Sequence, residues 1–191
     1  MEDCIRILSP LSAEAAVSLA CGQRVCLTGS IIIARDAAHR RMTEELSRGG
    51  GLPFDPAGAV LFYAGPAPTP PGRIIGPIGP TTSGRMDPYT PTLLRLGIRG
   101  MIGKGKRSPE VVAVMRETGA VYFGATGGAA ALLARSVKAV RTLAYEDLGP
   151  EAVRLLDVVD FPLVVAIDAR GNDLYEQGRK EYINGSIQPS D

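Results

Sequence analysis

Apolar residues in this chain fall into short runs separated by glycine, proline and charge. Val25-Cys26-Leu27, Ile31-Ile32-Ile33, Ala59 to Ala64 (AVLFYA), Ala120 to Gly124 (AVYFG) and Phe161 to Asp168 (FPLVVAID) are continuous stretches of strand length. Thr28-Gly29 separates the first two, which predicts two strands, Arg24 to Gly29 and Ser30 to Ala34, around a turn. Residues 3 to 9 read as an extended entry. Arg73 to Ile78, Gly100 to Ile102 and the alternating stretch Ser136 to Tyr145 read as further strands.

Capping signals mark the helices. Ser12 opens one to Leu19, with Glu14 in its first turn; Asp36 is the expected N-cap of another to about Ser47, ended by Gly49-Gly50-Gly51. Ser108-Pro109-Glu110 combines a capping hydroxyl, a proline at the first position and an early carboxylate; the helix it starts stops at Gly119. Ala129 to Arg135, after the glycine loop Ala125 to Gly128, and Gly149 to Leu156 complete the predicted helices. Gly65 to Gly72 (GPAPTPPG) is excluded from regular structure, because its four prolines remove donors and fix φ. It is either a rigid arm or lid, or a stiff surface loop.

Strands alternating with short helices give an α/β class, expected as a layered sheet flanked by helices rather than a fully doubly wound one. The 191 residues suffice for one domain, placed over 1–176, followed by a polar tail over 177–191 that is either disordered or an arm docking on a partner.

Composition narrows the function. A formal net charge of +1 provides no global field for nucleic acid or an anionic membrane. No apolar run approaches the roughly 18 residues that span a bilayer, and MEDCIRILSP lacks a signal-peptide layout; a cytoplasmic location is the expectation. The three cysteines, Cys4, Cys21 and Cys26, are odd in number and form no CxxC pair, which argues against a disulfide framework and a zinc site. Buried free thiols are the plainer reading. His39 is the sole histidine, so no histidine cluster can hold a metal.

The chemistry concentrates between Gly79 and Ser108. One loop, Gly79-Pro80-Thr81-Thr82-Ser83-Gly84-Arg85, carries hydroxyls and a cation; a second, Gly103-Lys104-Gly105-Lys106-Arg107-Ser108, repeats the recipe. Backbone N–H groups, hydroxyls and fixed positive charge suit a small anion. If the loops converge with Arg35 at its strand-to-helix junction, Arg35, Arg85 and Lys104 form a cation excess beside Thr81, Thr82 and Ser83. Arginine forks match carboxylates, so a dicarboxylate would be held at both ends. The alternatives are an Arg35–Asp36 surface pair and a satisfied structural His39. A threonine hydroxyl can relay a proton but is no base unaided. No motif here supplies a Lewis acid, and neither GxGxxG nor a Walker loop is present.

Three motifs in this order, Ala34-Arg35-Asp36-Ala37-Ala38-His39, Gly79 to Asp87 and Lys104-Gly105-Lys106-Arg107-Ser108, resemble the signatures of the C-terminal domain, or β subunit, of class I (iron–sulfur) fumarate hydratase. The L(+)-tartrate dehydratase β subunit is the sibling. The resemblance extends through Gly124 to Gly128, Tyr145 to Ala152 and Asp160-Phe161-Pro162. It implies a swivelling β/β/α domain in a hydro-lyase that interconverts fumarate and L-malate, or dehydrates tartrate to oxaloacetate. It implies a 4Fe-4S cluster carried by a partner α subunit in an α2β2 assembly, with none bound by this chain alone. Carried over by motif, Arg35, Arg85 and Lys104 would bind the carboxylates of a C4 dicarboxylate. Thr81, with Lys104, would serve the proton-abstracting step alongside an aspartate of the α subunit, and Asp36, His39, Thr82 and Ser83 would support the site. The family's KGNRS reads KGKRS here, and Lys106 is expected to orient the loop rather than touch substrate. A non-catalytic carboxylate-binding or assembly module is the competing reading.

Overall fold

The alternation of apolar side chains along the strands builds two apolar layers, one inside a ring of strands and one between that ring and the helices. The computed structural model describes residues 4–125 and 130–183. Seven strands are present among the described residues: β1 (Ile5–Ser9), β2 (Arg24–Ile33), β3 (Val60–Phe62), β4 (Gly100–Gly103), β5 (Val121–Gly124), β6 (Val137–Ala144) and β7 (Val153–Ile167). Strands β1 to β5 pair in parallel, in sequence order, while β7 runs antiparallel to β5, β6 and β2. Because β7 bonds to both β2 and β5, the succession β2-β3-β4-β5-β7 closes on itself. The α-helices among the described residues are α1 (Ala13–Ser18), α2 (Asp36–Ser47), α3 (Thr90–Arg95), α4 (Pro109–Thr118), α5 (Ala130–Ser136) and α6 (Leu174–Ile183). This is a mixed α/β fold with a sheet and flanking helices.

Inside the ring, Ile31, Ile33, Phe62, Ile102, Phe123 and Phe161 form the first layer. The Phe62 and Phe161 rings meet edge-to-face with centroids 5.6 Å apart. The intervening residues Ile32, Leu61, Tyr63, Met101 and Tyr122 face the second layer, where they meet Met42 of α2, Leu93 and Leu94 of α3, and Val114 and Met115 of α4. Burial on both faces explains why these strands read as unbroken apolar runs. Each fully buried Phe or Leu contributes about 1.5–3 kcal/mol relative to exposure.

Several expectations are met. Ser12 and Ser108 cap α1 and α4 by accepting the N–H groups of Ala15 and Val111, and Gly119 ends α4 in the left-handed region. Others are corrected. Residues 24–33 form one strand, not two around a turn. Gly29, at φ +125°, carries an irregularity in the pairing with β7, and a Cβ there would lie 2.1 Å from the Ser9 carbonyl oxygen. Residues 73–78 form no strand; Ile75 and Ile78 plug the inner layer while the backbone stays irregular. The expected helix over 149–156 is a 3-10 segment, Glu146–Glu151, broken at Gly149 (φ 56°) beside Pro150, followed by β7. Val153 and Leu155 face the outer layer and Leu156 and Val158 the inner one, the two-sided alternation of a strand. Asp36 occupies the first turn of α2, with Arg35 at the N-cap.

Cys4 and Cys26 form a disulfide, against the expectation of three free thiols. Parallel pairing of β1 with β2 brings two cysteines 22 positions apart together, and sequence spacing does not show that. The polar tail expected from Gln177 is helical through Ile183. The glycine loop expected over Ala125 to Gly128 lies, from Thr126, outside the described residues, as does the tail beyond 183. No helix among the described residues is long and apolar enough to cross a membrane.

Candidate active site

Parallel strands β2, β3, β4 and β5 deliver their C-terminal ends to one edge of the sheet. Such edges are where α/β proteins place ligands. Arg35 and Asp36 follow β2, Tyr63 and Ala64 follow β3, and Lys104 follows β4. The segment 80–83 is laid across the last two. Pro80 bridges to Ala64, Thr81 N–H donates to the Tyr63 carbonyl (2.7 Å), Thr82 bridges to Lys104, and Ser83 N–H donates to the Lys104 carbonyl (2.9 Å). Both hydroxyl- and cation-bearing loops are therefore fixed to each other through their backbones.

One carboxylate gathers the arginines. Asp36 Oδ1 lies 2.7 Å from Arg85 Nε, and its Oδ2 accepts from Arg35 Nε at 3.2 Å. Arg35 Nη2 also lies 3.5 Å from Glu151 Oε1, while Glu151 Oε2 accepts the Ala37 N–H at the start of α2 (2.8 Å). Glu151 thus serves the helix N-terminus and the arginine at once. Its arrival from the far 3-10 segment left no trace in local spacing. The cation excess expected from Arg35, Arg85 and Lys104 is offset by two carboxylates. Lys104 is exposed and has no carboxylate within 4 Å among the described residues. It belongs to the group through the backbone of Thr82 and Ser83.

Arg85 is half exposed and binds Asp36 through Nε, and its two terminal nitrogens have no side-chain hydrogen-bond partner among the described residues. Arg35 is a quarter exposed. Thr81 is half-buried and Thr82 exposed. The grooves along the proline-rich segment, lined by residues such as Pro68, Ile75 and Arg154 or Arg73, Arg135 and Lys138, contain none of these residues. Only the start of that segment abuts the site: a Cβ on Gly65 would sit 3.4 Å from Arg35 Cδ.

His39 and Ser83 lie beneath the surface. His39 is fully buried on α2, and its Nδ1 lies 3.0 Å from the Arg35 carbonyl. Since a carbonyl only accepts, Nδ1 carries the proton and Nε2 is the unprotonated nitrogen, without a hydrogen-bond partner among the described residues. Burial pushes the imidazole down to about 4, only partly opposed by the Arg35 carbonyl, so the ring is neutral at pH 7. The Tyr63 ring packs edge-on against it at 5.3 Å. Ser83 is fully buried, with its Oγ 2.9 Å from Tyr122 Oη. Tyr122 spends its own proton on the Gly105 carbonyl (2.9 Å), so Ser83 is the donor of that pair. Gly103 leaves the necessary space: a Cβ there would stand 1.9 Å from Ser83 Oγ.

A second arginine centre, for which the sequence carries no signal beyond motif membership, holds the two loops together. The Arg107 side chain is fully buried; Nε donates to Asp87 Oδ1 (2.7 Å), Nη2 to Thr90 Oγ1 (2.8 Å) and Nη1 to Tyr63 Oη (3.4 Å). Its guanidinium lies 5.2 Å from the ring centroids of both Tyr63 and Tyr122. Asp87 Oδ2 accepts the Ser108 N–H at 2.7 Å, so one carboxylate clasps the arginine and the start of α4.

Residues 3–178 match the family model described as Fumarase C-terminus. The chain belongs to that family. It is 42% identical over 156 residues to "Fumarate hydratase class I, aerobic" of Salmonella typhimurium, covering 81% of this chain and 27% of that protein. It is 44% identical to "Fumarate hydratase 1, mitochondrial" of Leishmania major, again over 81% of this chain and 28% of the relative. With "Putative L(+)-tartrate dehydratase subunit beta" of Methanocaldococcus jannaschii it shares 39% identity over 177 residues, 90% of this chain and 91% of the other. The chain therefore spans about a quarter of the length of the fumarate hydratases and nearly all of the third relative.

Class I fumarate hydratases are iron–sulfur enzymes, and an iron–sulfur cluster takes thiolate ligands. The Fumarase C-terminus domain has few to offer. Cys4 and Cys26 are bonded to each other, and burial, with Asp168 and Asp173 nearby, pushes the Cys21 thiol up to about 11. Among the described residues no three His, Cys, Asp or Glu side chains approach closely enough to hold a metal. These residues do not fit a cluster.

Proposed function

We propose that this chain is the β-type half of an iron–sulfur hydro-lyase, gripping a C4 dicarboxylate while a partner α subunit carries the 4Fe-4S cluster. The reaction is the reversible hydration of fumarate to L-malate. The observation that carries the reading is the Arg35–Asp36–Arg85 junction at the edge where Thr81 and Lys104 also emerge. Asp36 and Glu151 hold the arginines in place before substrate arrives, so less orientational freedom is lost on binding. Arg85 offers its two terminal nitrogens to one carboxylate, Arg35 its remaining N–H groups, and Lys104 a mobile point charge. The Thr81 hydroxyl, on a backbone fixed to Tyr63, passes a proton at the substrate carbon to a carboxylate of the partner. Asp36, His39, Thr82 and Ser83 position these groups. We infer that the domain works in the cytoplasm and swivels to close the shared site in an α2β2 assembly.

Arg85→Ala in the complex co-produced with its iron–sulfur partner tests this. Turnover of malate and fumarate should fall by two or more orders of magnitude with the cluster's absorbance unchanged. Near wild-type turnover would leave the chain as a carboxylate-binding or assembly module. The length match to the "Putative L(+)-tartrate dehydratase subunit beta" of Methanocaldococcus jannaschii favours tartrate as the second substrate to assay.

A further inference from the structure

Lys104 is an exposed cation of the second loop, yet no hydrogen bond or ion pair among the described residues holds its ammonium. What is held is everything around it. The Lys104 carbonyl takes the Ser83 N–H. The next peptide is gripped from two sides: the Gly105 carbonyl accepts from buried Tyr122 (2.9 Å), and the Gly105 N–H donates to Tyr175 Oη (3.2 Å) on α6. Lys106 Nζ then meets Glu176 Oε1 at 2.5 Å, again on α6. Lys106 is the position where this chain departs from KGNRS, and the charge introduced there has its partner 70 residues away.

Helix α6 is well anchored at its start, and its residues Leu174 to Lys180 are exposed or half-buried. Asp168, nearly buried at the end of β7, accepts the N–H groups of Cys21, Arg170 and Asn172, and the Asn172 side chain. Asp173 accepts the Tyr175 N–H, and its carbonyl that of Gln177. Leu174 and Tyr175 nonetheless remain exposed. Over Leu174 to Lys180 no apolar side chain is buried, and the polar contacts to the loop are what this stretch contributes.

We propose that α6 is a clasp that sets the position of the Lys104 loop, with Tyr175 and Glu176 as positioning residues. The proposal rests on Lys104 being a substrate-binding group. Its functional signature is a rise in KM, since a misplaced Lys104 weakens the grip on the dicarboxylate before any bond is broken.

The test uses the complex co-produced with the iron–sulfur partner, assayed on malate and fumarate. Tyr175→Phe combined with Glu176→Gln removes a hydrogen bond and an ion pair, both weak and exposed; it should raise KM about ten-fold and speed amide exchange over 103–107. The charge swap K106E/E176K should recover most of the loss of Glu176→Gln alone. Wild-type KM and exchange in the double variant, beside an inactive Lys104→Ala, would overturn the clasp and spare the functional reading. Wild-type activity in Lys104→Ala would overturn that reading and the clasp's catalytic consequence together.

Discussion

Replacing Arg107 by methionine is the sharpest test of how the two loops are locked. The side chain is fully buried and donates to Asp87, Thr90 and Tyr63. Methionine restores much of the volume but none of the donors. Removing one partner of a buried ion pair costs about 3–5 kcal/mol, mainly because the other charge is stranded. Asp87 is only 14% exposed but keeps the Ser108 N–H, which places the expected loss at about 3 kcal/mol, the lower end of that range. Each kcal/mol shifts the melting midpoint of a domain this size by about 2–4 °C, so a drop of about 6–12 °C follows. Urea unfolding of Arg107→Met, Asp87→Asn and the double variant, with m-values compared, measures the coupling. Arg107→Lys should fall between wild type and methionine, since an ammonium can meet Asp87 but cannot fork to Thr90 and Tyr63 as well. A loss under about 1 kcal/mol for Arg107→Met, or strictly additive losses in the double variant, would show that the cluster is not the lock described.

His39 makes a pH prediction of definite sign. Its folded value of about 4 lies below the ordinary 6.5, so the unfolded chain binds the extra proton between those limits and stability falls as pH drops through that window, by up to about 3 kcal/mol. Unfolding curves of His39→Gln should lack that portion of the slope; an unchanged slope would place the titration elsewhere. Thiol titration of the urea-unfolded, unreduced chain should find one group, Cys21, and three after reduction; three before reduction would mean that Cys4 and Cys26 are not joined. Gly103→Ala should destabilise by more than about 2 kcal/mol and disturb the Ser83–Tyr122 bond, whereas Gly51→Ala, with nothing within 4 Å of its Cβ, should be near neutral.

Local chemistry made the capped helices legible. Ser12, Ser108 with Pro109, and Gly119 do their work within a turn of where they stand. Buried strands were legible as apolar runs, but runs do not reveal partners, so the closure of β7 onto β2 and the pairing of Cys4 with Cys26 stayed hidden. Val153 to Leu156 reads as helix because Pro150-Glu151 is a genuine helix-start signal, overruled by the antiparallel pairing of this stretch with β2 and β6. The candidate site residues came from motifs, and their roles rest on the proposal. What the motifs could not show is the wiring: Glu151 reaches Ala37 of α2 across 114 positions and Arg35 beside it, and Tyr175 reaches Gly105 across 70.

The distribution of rigidity has a physical consequence for the site. Rings and hydroxyls that could have faced solvent (Tyr63, Tyr122, Ser83, Thr90) are turned inward and bonded to Arg107 or to one another. Arg85 and Lys104 are exposed. Water screens such exposed charges heavily, so on the open surface their attraction for a dicarboxylate is worth about a kcal/mol each. The same charges in a site from which water is excluded act through a much lower effective dielectric and gain several-fold in strength. An open edge with rigid footings and solvated cations is therefore weak by itself and strong when covered. The isolated chain should bind malate no better than millimolar, and the covered assembly by at least ten-fold more tightly. Calorimetry on the chain with and without the proposed α subunit decides this, and equal affinities would mean that the edge is never covered.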